Sequence, residues 1–248
     1  MNDFFSALAD DLPQLRSGLW VTLEATVFGA LAALLLSFVL GLMSLSRLML
    51  SRGGVSRVVV EFFRGTSLYV QLFWLYYAMP PLTGYELDPL ICGGVIAFGL
   101  NYGGAYGAEV VRGAVNSVPR GQYEAALALN MSPLHRMRKV ILPQAWVQMI
   151  PSFTNLLIQL LKATPLLWLI SAADLMTAVE KLRSRTGETL AAYITLLVCY
   201  FVLAYALTLL MNLLERSAKR RLGLAAGGKS LLKSRSAVTA TEAAGGTG

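Results

Sequence analysis

Residues 19–46 read LWVTLEATVFGALAALLLSFVLGLMSLS, an apolar run with one formal charge, Glu24. A helix needs about 20 predominantly apolar residues to cross a bilayer core, and this run supplies them. Four further stretches meet the same standard, roughly 58–80, 89–111, 146–171 and 189–214. The 248-residue chain is 56% hydrophobic and only 14% charged. A soluble domain ordinarily carries about 25% charged residues. The sequence therefore predicts an all-α, polytopic membrane protein with about five transmembrane helices, its membrane domain spanning 18–215.

Lysines and arginines set the expected orientation. Arg47, Arg52 and Arg57 lie in one loop, and Arg112, Arg120, Arg136, Arg138 and Lys139 in another. Arg216, Lys219, Arg220, Arg221, Lys229, Lys233 and Arg235 follow the last run. The opposite side holds only Arg16, Lys181, Arg183 and Arg185, the last three offset by Asp174, Glu180 and Glu188. The positive-inside rule then places the N-terminus outside and the C-terminus in the cytoplasm. The net charge of +7 is thus a matter of topology, and no patterned basic face with aromatics suggests nucleic acid.

Residues 1–17 predict an outer amphipathic segment, with Phe4, Phe5, Leu8, Leu12 and Leu15 available for one face. Asp3, Asp10 and Asp11 precede the first run, the wrong charge for a signal peptide, so that run is expected to be an uncleaved span. The tail 216–248 is basic and, from Leu222, rich in Ala, Gly, Ser and Thr, which predicts disorder. Cys92 and Cys199 lie in apolar runs and read as small core side chains. His135 has no second His or Cys nearby, so no metal site is expected.

Between the third and fourth runs, residues 119–142 form a polar-edged hairpin. Gln122 to Leu129 is rich in helix formers, and Asn130 stands at the C′ position, where the left-handed conformation favours Gly and then Asn. Ser132-Pro133 predicts an N-cap with proline at the first helical position, and Pro143 ends or kinks that second helix. The first helix is too short to be stable without a partner surface, and Ala125 and Ala126 allow close approach. Glu124 lies four residues from Arg120, so a local ion pair is the simplest reading of its charge.

Gln122-Tyr123-Glu124-Ala125-Ala126, with Asn130 and Val140-Ile141-Leu142-Pro143 at the same spacing, resembles the loop that permeases of ATP-binding-cassette (ABC) importers insert into their ATPases. Asn130 stands where that family usually has Gly, and Val140 where it usually has Ile. Phe63-Arg64-Gly65-Thr66-Ser67-Leu68 with Val70-Gln71-Leu72, Ala105-Tyr106-Gly107-Ala108-Glu109-Val110-Val111-Arg112-Gly113, and Ser117-Val118-Pro119-Arg120-Gly121-Gln122 extend the likeness. Ile150-Pro151, Asn155 and Lys162-Ala163-Thr164-Pro165-Leu166 continue it, with Pro165 where Ser is frequent. These stretches are similar to permeases of the polar amino-acid uptake branch. The run from Leu100 to Val111 and Asn130 look most like ectoine/hydroxyectoine importers.

The resemblance implies the type I ABC importer permease fold. It implies a second permease subunit, identical or related, two ATPase subunits that bind the ATP and Mg, and an extracytoplasmic solute-binding protein. It also implies ATPase-coupling roles for Glu124, Ala125, Ala126, Asn130, Leu142 and Pro143. No Walker P-loop occurs in the chain, so it is expected to hydrolyse no ATP and bind no cofactor.

Ionisable groups at bilayer depth are costly unless they face protein or water. Lys162, with Thr164 and Asn155 nearby, is a candidate to line a translocation path; snorkelling to the outer interface is the alternative. Glu61 with Arg64, and Glu109 with Arg112, read first as ion pairs at the cytoplasmic boundary and second as path residues. Phe73, Trp74, Tyr76 and Tyr77 read as an interfacial aromatic belt. The rival function is an ion-gradient-driven transporter or channel with Lys162, Glu61 and Glu109 as its relay. A membrane-embedded enzyme lacks a catalytic cluster.

Overall fold

A computed structural model describes residues 2–45 and 55–221. Arg47, Arg52 and the tail from Leu222 lie outside these residues, as does the side chain of Phe5. The chain divides into two units, 1–208 and 209–248. In the second, the described residues are the end of the final helix, Thr189–Arg221. All regular structure is helical, and no strand occurs among the described residues.

The first long helix, Leu12–Leu45, organises the larger unit. Its buried positions include Gly18, Thr22, Ala25, Gly29, Ala33, Ser37 and Gly41, which recur every three or four residues along one face. Small side chains let helix backbones approach closely, the main source of attraction between helices in lipid, where water exclusion contributes little. The stripe receives the helical stretch Leu90–Asn116, which begins in wide π turns (Leu90–Ala97 and Gly99–Gly107) and ends as the α-helix Ala108–Asn116. Ser37 Oγ donates to Ala33 O at 2.6 Å and reaches Gly103 O at 3.4 Å. Phe98, Leu72, Leu160, Leu167 and Ile170 complete this core.

Three helical stretches are long and apolar enough to cross a membrane: Leu12–Leu45, Pro133–Ile170 and Thr189–Ser217. The other two expected spans are helical but subdivided. The 58–80 candidate is interrupted between Val55–Gly65 and Leu68–Phe73, with Ser67 extended (φ −69°, ψ 133°). The 89–111 candidate is the π-rich stretch just described. In the fourth candidate an α-helix, Leu142–Ala163, tightens at Thr164-Pro165 into the 3₁₀ helix Thr164–Ile170.

The N-terminal segment differs from an amphipathic helix with all its apolar groups on one face. Phe4 and Leu15 are buried and Leu8 packs with them against Leu175, Val179 and Leu182, whereas Leu12 is 58% exposed. The helix Asn2–Asp10 ends before Leu12, which opens the separate helix Leu12–Leu45, so one helical face does not run unbroken from Phe4 to Leu15. The segment thus packs on the helix Leu175–Thr186, held also by Arg185 Nη1 to Asp11 Oδ1 at 3.0 Å.

Candidate functional site

The hairpin closes as its sequence predicts. Asn130 has φ 51°, and Met131 N–H donates to Ala126 O (3.1 Å) while Asn130 N–H donates to Leu127 O (2.9 Å). This is the paired Schellman arrangement that satisfies the last carbonyls of the helix Arg120–Ala128. Ser132 is extended, and its hydroxyl accepts from His135 N–H, opening the helix Pro133–Arg136. Asn130→Gly is expected to leave the hairpin intact, because Gly holds a left-handed φ freely. Asn130→Val should cost about 1–2 kcal/mol, the penalty of that conformation for a residue with a bulky β-carbon. Amide exchange at Met131 reads the difference, and equal protection in the two variants refutes the capping role.

The hairpin is tied to the body of the fold at several points. Gln144 Nε2 donates to Gln122 Oε1 at 3.1 Å, linking its first helix to the long helix Leu142–Ala163. Tyr123 Oη donates to Val115 O (3.4 Å), and the Arg136 guanidinium lies 5.9 Å from the centre of its ring. Burial raises the Tyr123 phenol pKa and the Arg136 charge partly lowers it again. Ile141, Ala145 and Met149 pack against Val111, Val115 and Val118 beneath it.

The outward side is composed differently. Glu124, Ala125 and Asn130 are exposed, and Glu124 forms no ion pair with Arg120 among the described residues. Ala126 is buried within the hairpin, and Leu142 and Pro143 are half-buried at its base. Sequence reading missed Leu127 (58% exposed), Leu129 (71%) and Leu134 (70%), three large apolar side chains on the same hairpin as Glu124 and uncovered among the described residues. Their signal was leucine in a region otherwise counted as polar.

A second feature runs along the same long helix. Gln148, Asn155 and Lys162 are seven residues apart and all exposed, with exposed Gln159 on the same face. Gln148 Oε1 meets Ser117 Oγ at the hairpin end. Asn155 and Lys162 were legible as single polar residues, but the seven-residue spacing that joins them to Gln148 went unread. Thr164 lies elsewhere: fully buried, it donates to Leu161 O (2.8 Å) and meets Tyr200 Oη at 3.0 Å.

The interrupted second helix forms a third feature. The chain breaks after Gly65, which frees carbonyls that a continuing helix would engage. Gln71 Nε2 donates to Phe63 O and Thr66 O (3.2 Å each) and to Thr66 Oγ1 (2.7 Å). Asn101 Nδ2 reaches Phe63 O and Gln71 Oε1, both at 3.4 Å. Two buried amides therefore replace the lost helical partners, a role the sequence reading did not assign to them. Glu109 and Arg112 are paired at 2.6 Å, whereas Glu61 and Arg64 are exposed and form no ion pair among the described residues.

Comparison with known proteins places this geometry. Residues 25–220 match the family described as "Binding-protein-dependent transport system inner membrane component". The probable amino-acid ABC transporter permease protein y4tF of Sinorhizobium fredii is 43% identical over 216 residues, covering 85% of this chain and 90% of that protein. The L-cystine transport system permease protein TcyB of Bacillus subtilis is 34% identical, covering 84% and 88%. A crystal structure of an amino acid ABC transporter with histidines superposes with a TM-score of 0.78 at 30% identity, covering 86% of this chain and 98% of that one.

Proposed function

The chain belongs to the family of binding-protein-dependent transport system inner membrane components, and from that premise we propose that it is the membrane subunit of an ATP-driven importer for a polar amino acid or amino-acid-like solute. Such a subunit is a multi-pass inner-membrane protein and a transport component, not an enzyme. Five spans put the N-terminus outside and the hairpin in the cytoplasm. Two permease subunits enclose the path, two ATPases carrying ATP and Mg dock on the hairpins, and an external binding protein delivers the solute. Ectoine or hydroxyectoine is the finer reading within this solute class, resting on the Leu100–Val111 run and Asn130; the relatives' names supply cystine and amino acids generally.

One observation carries the proposal. An exposed hairpin is bonded through Gln122 and Gln144 to a helix whose exposed face carries Gln148, Asn155, Gln159 and Lys162. Movement of the hairpin by a docked ATPase is delivered directly to a polar helix face, and a polar face in a membrane domain belongs against water or partner protein. The gradient-driven rival fits less well. Glu61 and Glu109 lie at the hairpin end, and Lys162 stands twenty residues along the helix from Leu142, about 30 Å away at 1.5 Å per residue.

The test reconstitutes the permease with its ATPase and binding protein in vesicles. Uptake is expected to require ATP hydrolysis and to persist when ionophores collapse the proton and sodium gradients. Uptake that stops with the gradients while ATP remains supports the rival instead. The ligand that co-purifies with the binding protein identifies the solute.

A further inference from the structure

Two stretches distant in sequence, Arg57–Arg64 and Ala108–Arg112, meet at one cleft of ≈ 380 Å³ between the ends of three helices. That volume lies within the range of about 300–1,000 Å³ typical of small-molecule sites. Leu40, Val60 and Ala108 give it an apolar floor, and every other lining side chain is polar or charged. Arg112 spends its charge on Glu109: Nη2 lies 2.6 Å and Nε 3.1 Å from Oε2. Glu61 and Arg64 have the same three-residue spacing on their helix but do not pair, and Arg57 has no ion pair either, among the described residues. One wall of the cleft therefore offers two guanidinium groups and one carboxylate, all exposed and without ionic partners.

A guanidinium presents parallel N–H donors that match a carboxylate, and a carboxylate accepts from an ammonium group. A simple anion placed here is opposed by Glu61, and a simple cation by Arg57 and Arg64. A molecule carrying both groups close together satisfies the wall as a whole. We propose that this cleft is a binding site for the α-carboxylate and α-ammonium of a free amino acid, at the hairpin end of the permease, where an imported solute is released. The release role rests on the importer reading given above, while binding itself does not.

Glycine is the probe, since it is the smallest molecule with both groups and brings no side chain. The full-length permease with its ATPase is placed in phosphatidylcholine nanodiscs and titrated calorimetrically with glycine, glycine methyl ester and N-acetylglycine. Saturable glycine binding is expected, with both blocked forms weaker. Arg64→Gln should raise half-saturating glycine about tenfold and abolish the preference over the ester, and Arg64→Lys should restore part of it. Glu61→Gln should abolish the preference over N-acetylglycine. Absence of saturable binding, or binding unchanged in Arg64→Gln and Glu61→Gln, overturns the site. So does glycine binding that disappears in phosphatidylethanolamine nanodiscs, which assigns the cleft to a lipid headgroup. ATPase content is measured in the same discs. Glycine selectivity without ATPase indicts the coupling reading alone, and ATPase without selectivity indicts this site alone.

Discussion

Gly103→Val is expected to yield little folded permease. A β-carbon at Gly103 would lie 2.6 Å from Cα and 2.9 Å from the carbonyl carbon of Ala33, closer still to its oxygen. These are backbone atoms of the first long helix, so no rotamer change relieves the clash. The two helices must separate, and the packing between them includes the buried Ala33, Phe98 and Tyr102. Overpacking a core typically costs about 1–3 kcal/mol and more when backbones move, against a total stability of about 5–15 kcal/mol. Gly103→Ala should be destabilised in the same sense but less. Gly113→Ala is the control: it is exposed, nothing lies within 4 Å of its added β-carbon, and it sits inside the helix Ala108–Asn116. That exchange should be neutral or stabilising by up to about 1 kcal/mol. Detergent-solubilised yield and thermal midpoint give the ranking. A Gly103→Val protein that melts with wild type means the helix Leu12–Leu45 and the stretch Leu90–Asn116 do not pack as described.

How much of this was open to sequence reading depended on the range of the interactions. The hairpin was legible because its determinants are local: a left-handed Asn130 and a Ser132-Pro133 cap act over a few residues. Apolar run length likewise gave the helical membrane architecture, because a bilayer demands it of each span separately. The break at Gly65–Ser67 was hidden. What sustains it is the carbonyl of Phe63 meeting two side-chain amides, Gln71 from beyond the break and Asn101 from another helix. Hydropathy averaged over 58–80 cannot see that exchange. Glu61–Arg64 and Glu109–Arg112 show the same limit, since among the described residues identical spacing gives a pair in one helix and none in the other. The exposed leucines at 127, 129 and 134 drew no reading of their own, although a short helix that needs a partner must present something apolar to it.

Those leucines frame the second large effect: Glu124→Arg should abolish ATPase association and solute uptake together while leaving the permease folded. Glu124 is exposed and forms no ion pair among the described residues, so the change removes no ionic contact there, and surface exchanges of that kind usually stay within about 0.5 kcal/mol. The proposed docked state differs. There Leu127, Leu129 and Leu134 are covered by the ATPase, and Glu124 among them is taken out of water with a partner for its charge. Losing one member of such a hydrogen-bonded charge pair costs about 2–5 kcal/mol, which is about 30- to 5,000-fold in affinity, and reversal adds repulsion. Glu124→Gln should fall between, since it keeps the shape and an acceptor but loses the charge. Leu129→Ser offers an independent approach to the same surface, weakening association without altering charge. Thermal midpoint, co-purification of the ATPase and vesicle uptake are measured on each variant. If Glu124→Arg retains both ATPase and uptake, the hairpin is not the coupling element. If its midpoint drops along with them, Glu124 supports the fold instead, and the contrast between a silent monomer and a broken complex is lost.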